Sequence, residues 1–140
     1  MRILALDHGS ARIGAAVCDP TETLARPLGV VEPPDSAGVA RLVTEHAVEL
    51  VVVGLPVSLS GDEGPQAESA RAFASELAAA VEVPVETYDE RLTTRLAESS
   101  ARAGAGAAPD ALAAAHLLES YLQHRARPTR AQVREGVDRP

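Results

Sequence analysis

Five short apolar runs along the chain predict β-strands. Most are four to seven residues long and end at glycine, proline or charged residues, as buried strands do. The run ending at Gly54 is mostly β-branched, which is typical of a strand buried on both faces. The five predicted strands span Arg2–Leu6, Arg12–Cys18, Gly29–Val31, Leu50–Gly54 and Val83–Tyr88.

Between and after these runs, apolar residues recur at helical spacing. Asp35 and Ser36, after two prolines, offer a cap for the first helix. Three strands followed by alternating helices and strands predict an α/β fold: a mixed sheet, with an antiparallel meander and two parallel strands, flanked by helices. The predicted helices span Ala37–Leu50, Gln66–Ala80, Thr93–Ala103 and Pro109–Gln123.

The composition narrows the class of protein. No run approaches the ~20 apolar residues of a membrane span, so no membrane partner is expected. The single cysteine, Cys18, excludes an internal disulfide and suits a cytoplasmic protein. We interpret residues 1–124 as one domain, and residues 125–140, with five arginines against two acids, as a flexible, solvated tail.

The net charge of −7 argues against a non-specific nucleic-acid binder. All 13 basic residues are arginine, and aromatic residues make up only 2%, so platforms for stacking bases are scarce. Charge and composition alone therefore favour no nucleic-acid function.

Acidic residues near strand and helix ends are the first candidates for catalysis or metal binding. Asp7 follows a buried strand and can present a carboxylate to a divalent cation, or it can hydrogen-bond its own turn. Asp89 and Glu90 end another strand, and because neighbouring strand residues face opposite sides, only one of them should share a cleft with Asp7. Asp110 lies at the start of a helix, a position that acidic residues favour even in proteins without an active site. It is therefore a candidate site residue only if that helix start faces Asp7.

Two further stretches permit more than one interpretation. Thr93 or Thr94 can cap the following helix, with Glu90 and Arg91 forming an exposed ion pair. The glycine-rich segment from Gly54 to Ala67 can hold a phosphate at the start of the next helix, or be a plain surface loop.

In combination these segments resemble the YqgF (RuvX) family, over Met1 to about Gln123. The resemblance rests on motifs in family order and spacing: Asp7-x-Gly9 with Arg12-Ile13-Gly14, Gly54-Leu55-Pro56, Gly61 to Ala67, Asp89-Glu90-Arg91-Leu92-Thr93-Thr94, and Asp110 with Ala113-Ala114. It implies an RNase H-like fold, kinship with Holliday-junction resolvases and a nuclease that processes the 5′ end of pre-16S rRNA.

The resemblance also implies a metal-dependent site. Asp7, Glu90 and Asp110 would be the catalytic acids, with Asp89 as a further possible ligand. Such acids would hold two Mg²⁺ or Mn²⁺ ions about 4 Å apart. Arg12 and Arg91 are candidates for the substrate phosphate, with Gly9 and Thr93 beside them, although an ion pair of Arg91 with Glu86 or Glu98 is an equal alternative.

His8 is adjacent to Asp7 and can shuttle a proton, or it is a solvent-exposed loop residue. The stretch Ala105–Pro109 lacks the lysines that many relatives carry before the last aspartate, which weakens the expected phosphate binding. Two rival functions remain at this point. One is an ATP-using enzyme, since Asp7, Gly9 and Gly14 also resemble a phosphate motif of actin-like kinases. The other is a non-catalytic module that binds a ribosome precursor or a protein.

The expected partner is nucleic acid, either pre-rRNA or branched DNA, and the chain is expected to act as a monomer or a homodimer.

Overall fold

The computed structural model describes residues 1–58, 60–92 and 108–126. Within them, five strands and three α-helices form, and one turn of 3₁₀-helix, Glu90–Leu92, follows the last strand. The strands are β1 Ile3–His8, β2 Ile13–Cys18, β3 Ala25–Val31, β4 Leu50–Leu55 and β5 Val85–Asp89. The helices are α1 Ser36–Glu45, α2 Pro65–Ala80 and α3 Pro109–Ala126.

The strands form one mixed sheet in the order β3-β2-β1-β4-β5. β1, β2 and β3 are an antiparallel meander, and β4 pairs in parallel with both β1 and β5. The predicted fold class is therefore confirmed. Because β1, β4 and β5 run in the same direction, their carboxyl ends meet at one edge of the sheet.

Helices cover both faces of the sheet, which explains why the central strands are apolar throughout. Leu4 and Leu6 face α1 and α2, where they pack with Phe73 and Leu77. Ile3 and Ala5 face α3 and join its leucines and alanines in a second cluster. α3 lies mainly over β1, β2 and β3.

The largest differences from the predicted bounds are in β3 and α1. β3 starts at Ala25, four residues earlier than predicted, because this edge strand is only half-buried and contains Arg26 and Pro27. Proline is tolerated there because an edge strand has no partner for one row of its N–H groups. α1 ends at Glu45 and not at Leu50, since Ala47 has φ of +51° and sends the chain into β4.

The predicted cap of α1 is confirmed, because the Asp35 carboxylate accepts a hydrogen bond of 2.8 Å from the Gly38 N–H. The helix predicted over 93–103 lies outside the described residues. So does the predicted tail, apart from Arg125 and Ala126, which close α3. In the described part of the chain, no helix is both long enough and apolar enough to cross a membrane.

Candidate active site at the carboxyl end of the parallel strands

Asp7 lies inside β1, not in the turn that the sequence predicted, because the strand continues to His8. Strand alternation points its side chain to the face covered by α3, the same face as Ile3 and Ala5. Its partner across the β1–β2 ladder is Gly14. Asp7 is therefore a partly buried carboxylate beneath the start of α3.

Gly14 lets the first turn of α3 approach the sheet. A Cβ atom added at Gly14 would lie 1.9 Å from the main-chain oxygen of Asp110 and 2.3 Å from its carbonyl carbon. Only glycine permits this approach without moving the helix. The contact brings Asp110 close enough for its charge to raise the pKa of Asp7.

Glu90 is the second carboxylate on this face. It follows β5 in the 3₁₀ turn and lies across β4 at Gly54, where an added Cβ would be 2.8 Å from Glu90 Oε1 and 2.9 Å from Leu117 Cδ2. The carboxyl groups of Asp7 and Glu90 form a hydrogen bond. A second glycine in a buried strand thus makes room for a side chain of the site.

Within the described residues, neither Asp7 nor Glu90 forms an ion pair with an arginine, and the two carboxyl groups share a proton instead. Desolvation by burial raises the pKa of both groups. The charge of Asp7 and its hydrogen bond raise the pKa of Glu90 further, to about 7. Below about pH 7, Glu90 therefore holds the shared proton and donates it to Asp7.

Asp89 points to the opposite face, toward α2. Its carboxylate accepts hydrogen bonds from Arg91: 2.9 Å from Nε and 2.5 Å from Nη2 to Oδ2, and 2.9 Å from the Arg91 N–H to Oδ1. These bonds lower the pKa of Asp89. The expectation that only one of the two neighbouring acids faces Asp7 is confirmed, and that acid is Glu90.

Arg91 pairs with Asp89 and not with the partners that the sequence suggested. An ion pair of Arg91 with Glu90 or Glu86 is therefore wrong, and Glu98 lies outside the described residues. The guanidinium also approaches the loop before α2, since a Cβ at Gly61 would be 3.7 Å from Arg91 Nη1. Arg91, Glu90 and that loop line a groove of about 690 Å³.

Arg12 lies on the other side of Asp7, in the turn between β1 and β2. Its Nε donates to Asp110 Oδ2, and its Nη1 is 3.7 Å from Glu32 Oε1. Gly9 closes the same turn by donating its N–H to the Arg12 carbonyl over 3.0 Å. Arg12 and Gly9 thus flank the acidic pair, whereas Thr93 lies outside the described residues.

His8 does not belong to the acidic site. Its ring points to the α2 face and stacks on Phe73, with centroids 4.8 Å apart and an angle of 26° between the planes. Partial burial lowers its pKa, with the charge of Asp7 acting in the opposite direction. Both interpretations from the sequence, a proton shuttle at the site and an exposed loop histidine, are therefore wrong.

Comparison with known proteins identifies the family of this chain. The family model described as "RuvX: Holliday junction resolvase" matches residues 1–124. The chain belongs to the RuvX family. A relative from Anaeromyxobacter sp. (strain Fw109-5), named "Putative pre-16S rRNA nuclease", is 47% identical over 135 residues, which cover 89% of this chain and 98% of the relative. A relative of the same name from Chloroflexus aurantiacus is 43% identical, covering 92% of both chains.

Solved structures of resolvases share the RuvX-family fold. RuvC of T. thermophilus in complex with a Holliday junction substrate aligns with a TM-score of 0.64 at 20% identity, covering 89% of this chain and 96% of RuvC. The Fowlpox virus resolvase, solved with Holliday junction DNA, aligns with a TM-score of 0.56 at 13% identity, covering 91% of this chain and all of the resolvase. RuvX is a family of nucleases, hydrolases of phosphodiester bonds.

Enzymes with the resolvase fold generally use divalent metal ions, so the donors of this RuvX-family site matter. Among the residues that the structure describes, no group of three or more His, Cys, Asp or Glu side chains is arranged to hold a metal ion. The nearest arrangement is the Asp7–Glu90 pair, with Asp110 turned to Arg12. Carboxylate oxygens are the ligands that Mg²⁺ and Mn²⁺ prefer, and a cation can replace a proton shared by two carboxylates, so the donors fit such an ion.

Two residues help to hold the RuvX-family site together: Ser120 was not identified from the sequence, and Gly14 was identified only as part of a motif. Ser120, on α3, is fully buried; it accepts a 2.9 Å hydrogen bond from the Tyr88 hydroxyl and donates one of 2.8 Å to the Leu92 carbonyl. This chain of bonds ties the turn that carries Glu90 to α3, which carries Asp110. Gly14 stood in the family motif, and a glycine inside an apolar strand is a signal for close approach of another element.

Proposed function

We propose that the protein is a divalent-metal-dependent endonuclease that hydrolyses phosphodiester bonds. The observation that carries the proposal is the Asp7–Glu90 pair: two hydrogen-bonded, partly buried carboxyl groups at the carboxyl end of parallel strands, neither of them ion-paired to an arginine in the described part of the chain. A pure scaffold gains nothing from this arrangement, because burying two neighbouring carboxyl groups costs stability once both are ionised. Perturbed carboxyl groups beside an open groove are typical of catalytic sites.

In this proposal Asp7, Glu90 and Asp110 hold Mg²⁺ or Mn²⁺. Asp7 lies between the other two acids, which makes it the candidate shared ligand. When bound, the metal activates a water molecule and stabilises the leaving oxygen of the phosphodiester. Asp89 is not part of this set, since its carboxylate is directed to Arg91 on the opposite face.

The residues around the acids then bind and orient the substrate. Arg12 on one side and Arg91 on the other are exposed guanidinium groups, which can contact a phosphate through two N–H donors. Gly9 shapes the turn that carries Arg12, and Thr93 follows the turn that carries Arg91. The 690 Å³ groove beside Glu90 is large enough for one nucleotide next to the scissile phosphate.

The names of the relatives favour RNA as the substrate, with processing of the 5′ end of pre-16S rRNA on a ribosome precursor as the role. Branched DNA is the alternative substrate, supported by the description of the family model. We place the activity in the cytoplasm, where the buried thiol of Cys18 stays reduced. Both a monomer and a homodimer are compatible with the proposal.

The direct test is a cleavage assay. The purified protein is incubated with a pre-16S 5′ fragment, an unrelated single-stranded RNA and a four-way DNA junction, each with Mn²⁺ or EDTA, beside the matched variants Asp7→Asn and Asp89→Asn. We expect cleavage with Mn²⁺ that is lost in EDTA and in Asp7→Asn but kept in Asp89→Asn. Preference for the pre-16S fragment supports rRNA processing, whereas preference for the junction supports a resolvase.

A non-catalytic RNase H-like binding module is the second candidate. It is favoured by one observation: both candidate phosphate-binding arginines are engaged with carboxylates, Arg12 with Asp110 and Arg91 with Asp89. Thermal denaturation with increasing Mn²⁺ separates the two functions. A nuclease is stabilised by the metal in proportion to occupancy of its site, whereas a module without a metal site is not.

A further inference from the structure

The 690 Å³ groove next to the acidic pair has mainly apolar walls and a few polar side chains. Such a combination is typical of a binding site for one small molecule or one nucleotide. Apolar walls suit the face of a nucleobase, and polar side chains suit its hydrogen-bonding edge. The walls include the apolar residues Pro56, Val57 and Pro65 and the polar residues Asp62 and Gln66.

The loop between β4 and α2, which forms one wall of the groove, is held in place by contacts within the chain. Val57 forms a β-bridge with Glu63 across the loop. The Ser58 N–H donates to the Asp62 carbonyl over 3.1 Å. Both oxygens of the Glu63 carboxylate accept hydrogen bonds from Arg71 on α2, of 3.1 Å from Nε and 2.8 Å from Nη2. Because these contacts order the loop already, a ligand does not have to do so, which favours selective binding.

Arg91 presents a donor to this groove. Its Nε and Nη2 donate to the Asp89 carboxylate, which fixes the plane of the guanidinium. Nη1 forms no hydrogen bond within the described residues and lies on the side of Gly61, in the same loop. Arg91 can therefore contact the phosphate of a nucleotide through Nη1 without leaving Asp89.

Asp62 presents an acceptor to the groove. It is exposed and forms no ion pair in the described part of the chain. Its Oδ2 accepts a 3.0 Å hydrogen bond from the Ser60 hydroxyl, and no described residue donates to Oδ1. A carboxylate only accepts hydrogen bonds, can accept two parallel N–H bonds, and repels phosphate. The part of a nucleotide that suits Asp62 is therefore a base edge with two adjacent N–H donors.

Guanine is the only one of the four RNA bases with such an edge. Its N1–H and its N2 amino group are adjacent, and O6, an acceptor, lies beside N1. Adenine, cytosine and uracil each offer a carboxylate one N–H donor with an acceptor next to it. The exposed side-chain amide of Gln66 carries N–H donors that can reach an acceptor such as O6.

We propose that the groove binds the base of one guanosine beside the scissile phosphate, with Asp62 accepting from N1–H and the N2 amino group, Gln66 donating to O6 and Arg91 contacting the phosphate. The inference rests on the proposed nuclease function and adds its sequence specificity. In a duplex, guanine uses the same edge to pair with cytosine. The groove therefore reads only an unpaired guanosine, as most sequence-specific RNA sites read unpaired bases.

Binding of short RNAs to the full chain, followed by fluorescence anisotropy in EDTA, tests this without cleavage. The probes are seven-nucleotide uridine RNAs with guanosine, adenosine, cytidine or uridine at the central position. We expect the guanosine RNA to bind at least ~5-fold more tightly than the other three, the lower end of discrimination by one two-bond contact. Equal binding of the four RNAs overturns the proposal.

Two guanosine analogues locate the contact on the base. Inosine lacks only the N2 amino group, so it should lose most of the preference. 7-Deazaguanosine keeps N1–H, the N2 amino group and O6, so it should bind like guanosine. Inosine that binds as tightly as guanosine would contradict the contact with Asp62, and this comparison needs no variant protein.

Asp62→Asn should abolish the preference for guanosine, because its amide N–H groups meet the N2 amino group donor to donor. Glu68→Gln is the matched control: it removes the same charge from an exposed position on α2 that does not line the groove. Glu68→Gln should keep the preference. If both variants lose it equally, general electrostatics explains the effect and the guanosine site is wrong.

Failure of the guanosine site and failure of the nuclease function give different results. If the unmodified protein cleaves RNA with Mn²⁺ but binds the four RNAs equally, the nuclease stands and the guanosine site is overturned. If it prefers guanosine in EDTA but cleaves nothing with Mn²⁺, the site stands and the nuclease is overturned. If it neither binds nor cleaves RNA, both are overturned.

Discussion

Asp89 and Glu90 are neighbours in the chain but lie in different electrostatic environments. Asp89 ends β5 on the α2 face, where hydrogen bonds from Arg91 lower its pKa. Glu90 lies on the α3 face against Asp7, where burial and that second carboxylate raise its pKa to about 7. Asp89 is thus an ion-paired, structural acid, whereas Glu90, the next residue, forms no ion pair among the described residues. Of the two, only Glu90 is suited to exchange its proton for a metal ion.

The largest expected effect is the difference in cleavage rate between removing a carboxylate on the α3 face and removing one on the α2 face. Asp7→Asn removes the candidate shared ligand, so we expect Mn²⁺-dependent cleavage to fall at least ~100-fold. Asp89→Asn removes only an exposed ion pair, so cleavage should change less than about fivefold. Initial rates on the preferred substrate measure both. A loss in Asp89→Asn equal to that in Asp7→Asn would contradict the assignment of the two faces.

The close approach of α3 to the sheet is the next feature to test. Gly14→Ala places a Cβ 1.9 Å from the Asp110 oxygen, which forces the helix start to move. We expect a loss of about 1–3 kcal/mol in the free energy of unfolding, as for other overpacked sites, together with reduced cleavage. Chemical denaturation and the cleavage assay measure the two effects.

Gly64→Ala is the matched control for that substitution. An added Cβ at Gly64 has no neighbour within 4 Å, and its φ is −89°. The free energy of unfolding should therefore change by no more than about 0.5 kcal/mol. Equal destabilisation in the two variants would show that backbone freedom matters at Gly14, and not contact with α3.

Comparison of these regions shows which features the sequence can predict. Strand alternation alone indicated that only one of Asp89 and Glu90 could face Asp7, because that argument is local. The predicted length of β1 was too short. Asp7 and His8 are polar and so end the apolar run, but both still pair with β2 and belong to the strand. Residues Ala25 to Pro27 were missed for a similar reason, as an edge strand shows no clear apolar pattern.

Contacts between distant segments were beyond the reach of the sequence. Arg12 and Asp110 are 98 positions apart, and Tyr88 and Ser120 are 32 apart. No periodicity predicts which side chains such segments bring together; only the packing of α3 on the sheet decides it. His8 shows the same limit, because its partner Phe73 lies on a helix that is separate in sequence.

A smaller effect is expected at the hydrogen-bond chain that joins the two acid-bearing elements. Ser120→Ala leaves the buried Tyr88 hydroxyl without an acceptor, so we expect a loss of about 1–2 kcal/mol in the free energy of unfolding. Tyr88→Phe in the same background should cost little more, since the two residues act through one bond. A double-mutant cycle by urea denaturation measures this coupling, and strictly additive losses would contradict it.

The last effect is a dependence of stability on pH that comes from the Asp7–Glu90 pair. The folded-state pKa of Glu90 is raised from 4.5 to about 7, so the folded protein holds a proton that the unfolded chain releases in this interval. Stability contributed by that proton is therefore present below about pH 4.5 and lost as the pH rises through about 7. Asp7, whose pKa is also raised, contributes in the same direction, and nearby Asp110 and Asp89 add to the repulsion.

In EDTA, we expect the unmodified protein to lose about 1–2 kcal/mol more in unfolding free energy between pH 5 and pH 7.5 than Glu90→Gln, a figure reduced because the pair is only partly buried. Asp89→Asn should leave this loss in place, because its lowered pKa affects stability only in more acidic solution. Saturating Mn²⁺ should reverse the trend, since the metal binds the deprotonated pair and competes with the proton. A pH profile that is identical in the unmodified protein and Glu90→Gln would mean that the two carboxyl groups do not share a proton, and the contrast between the neighbouring acids would then lose its physical basis.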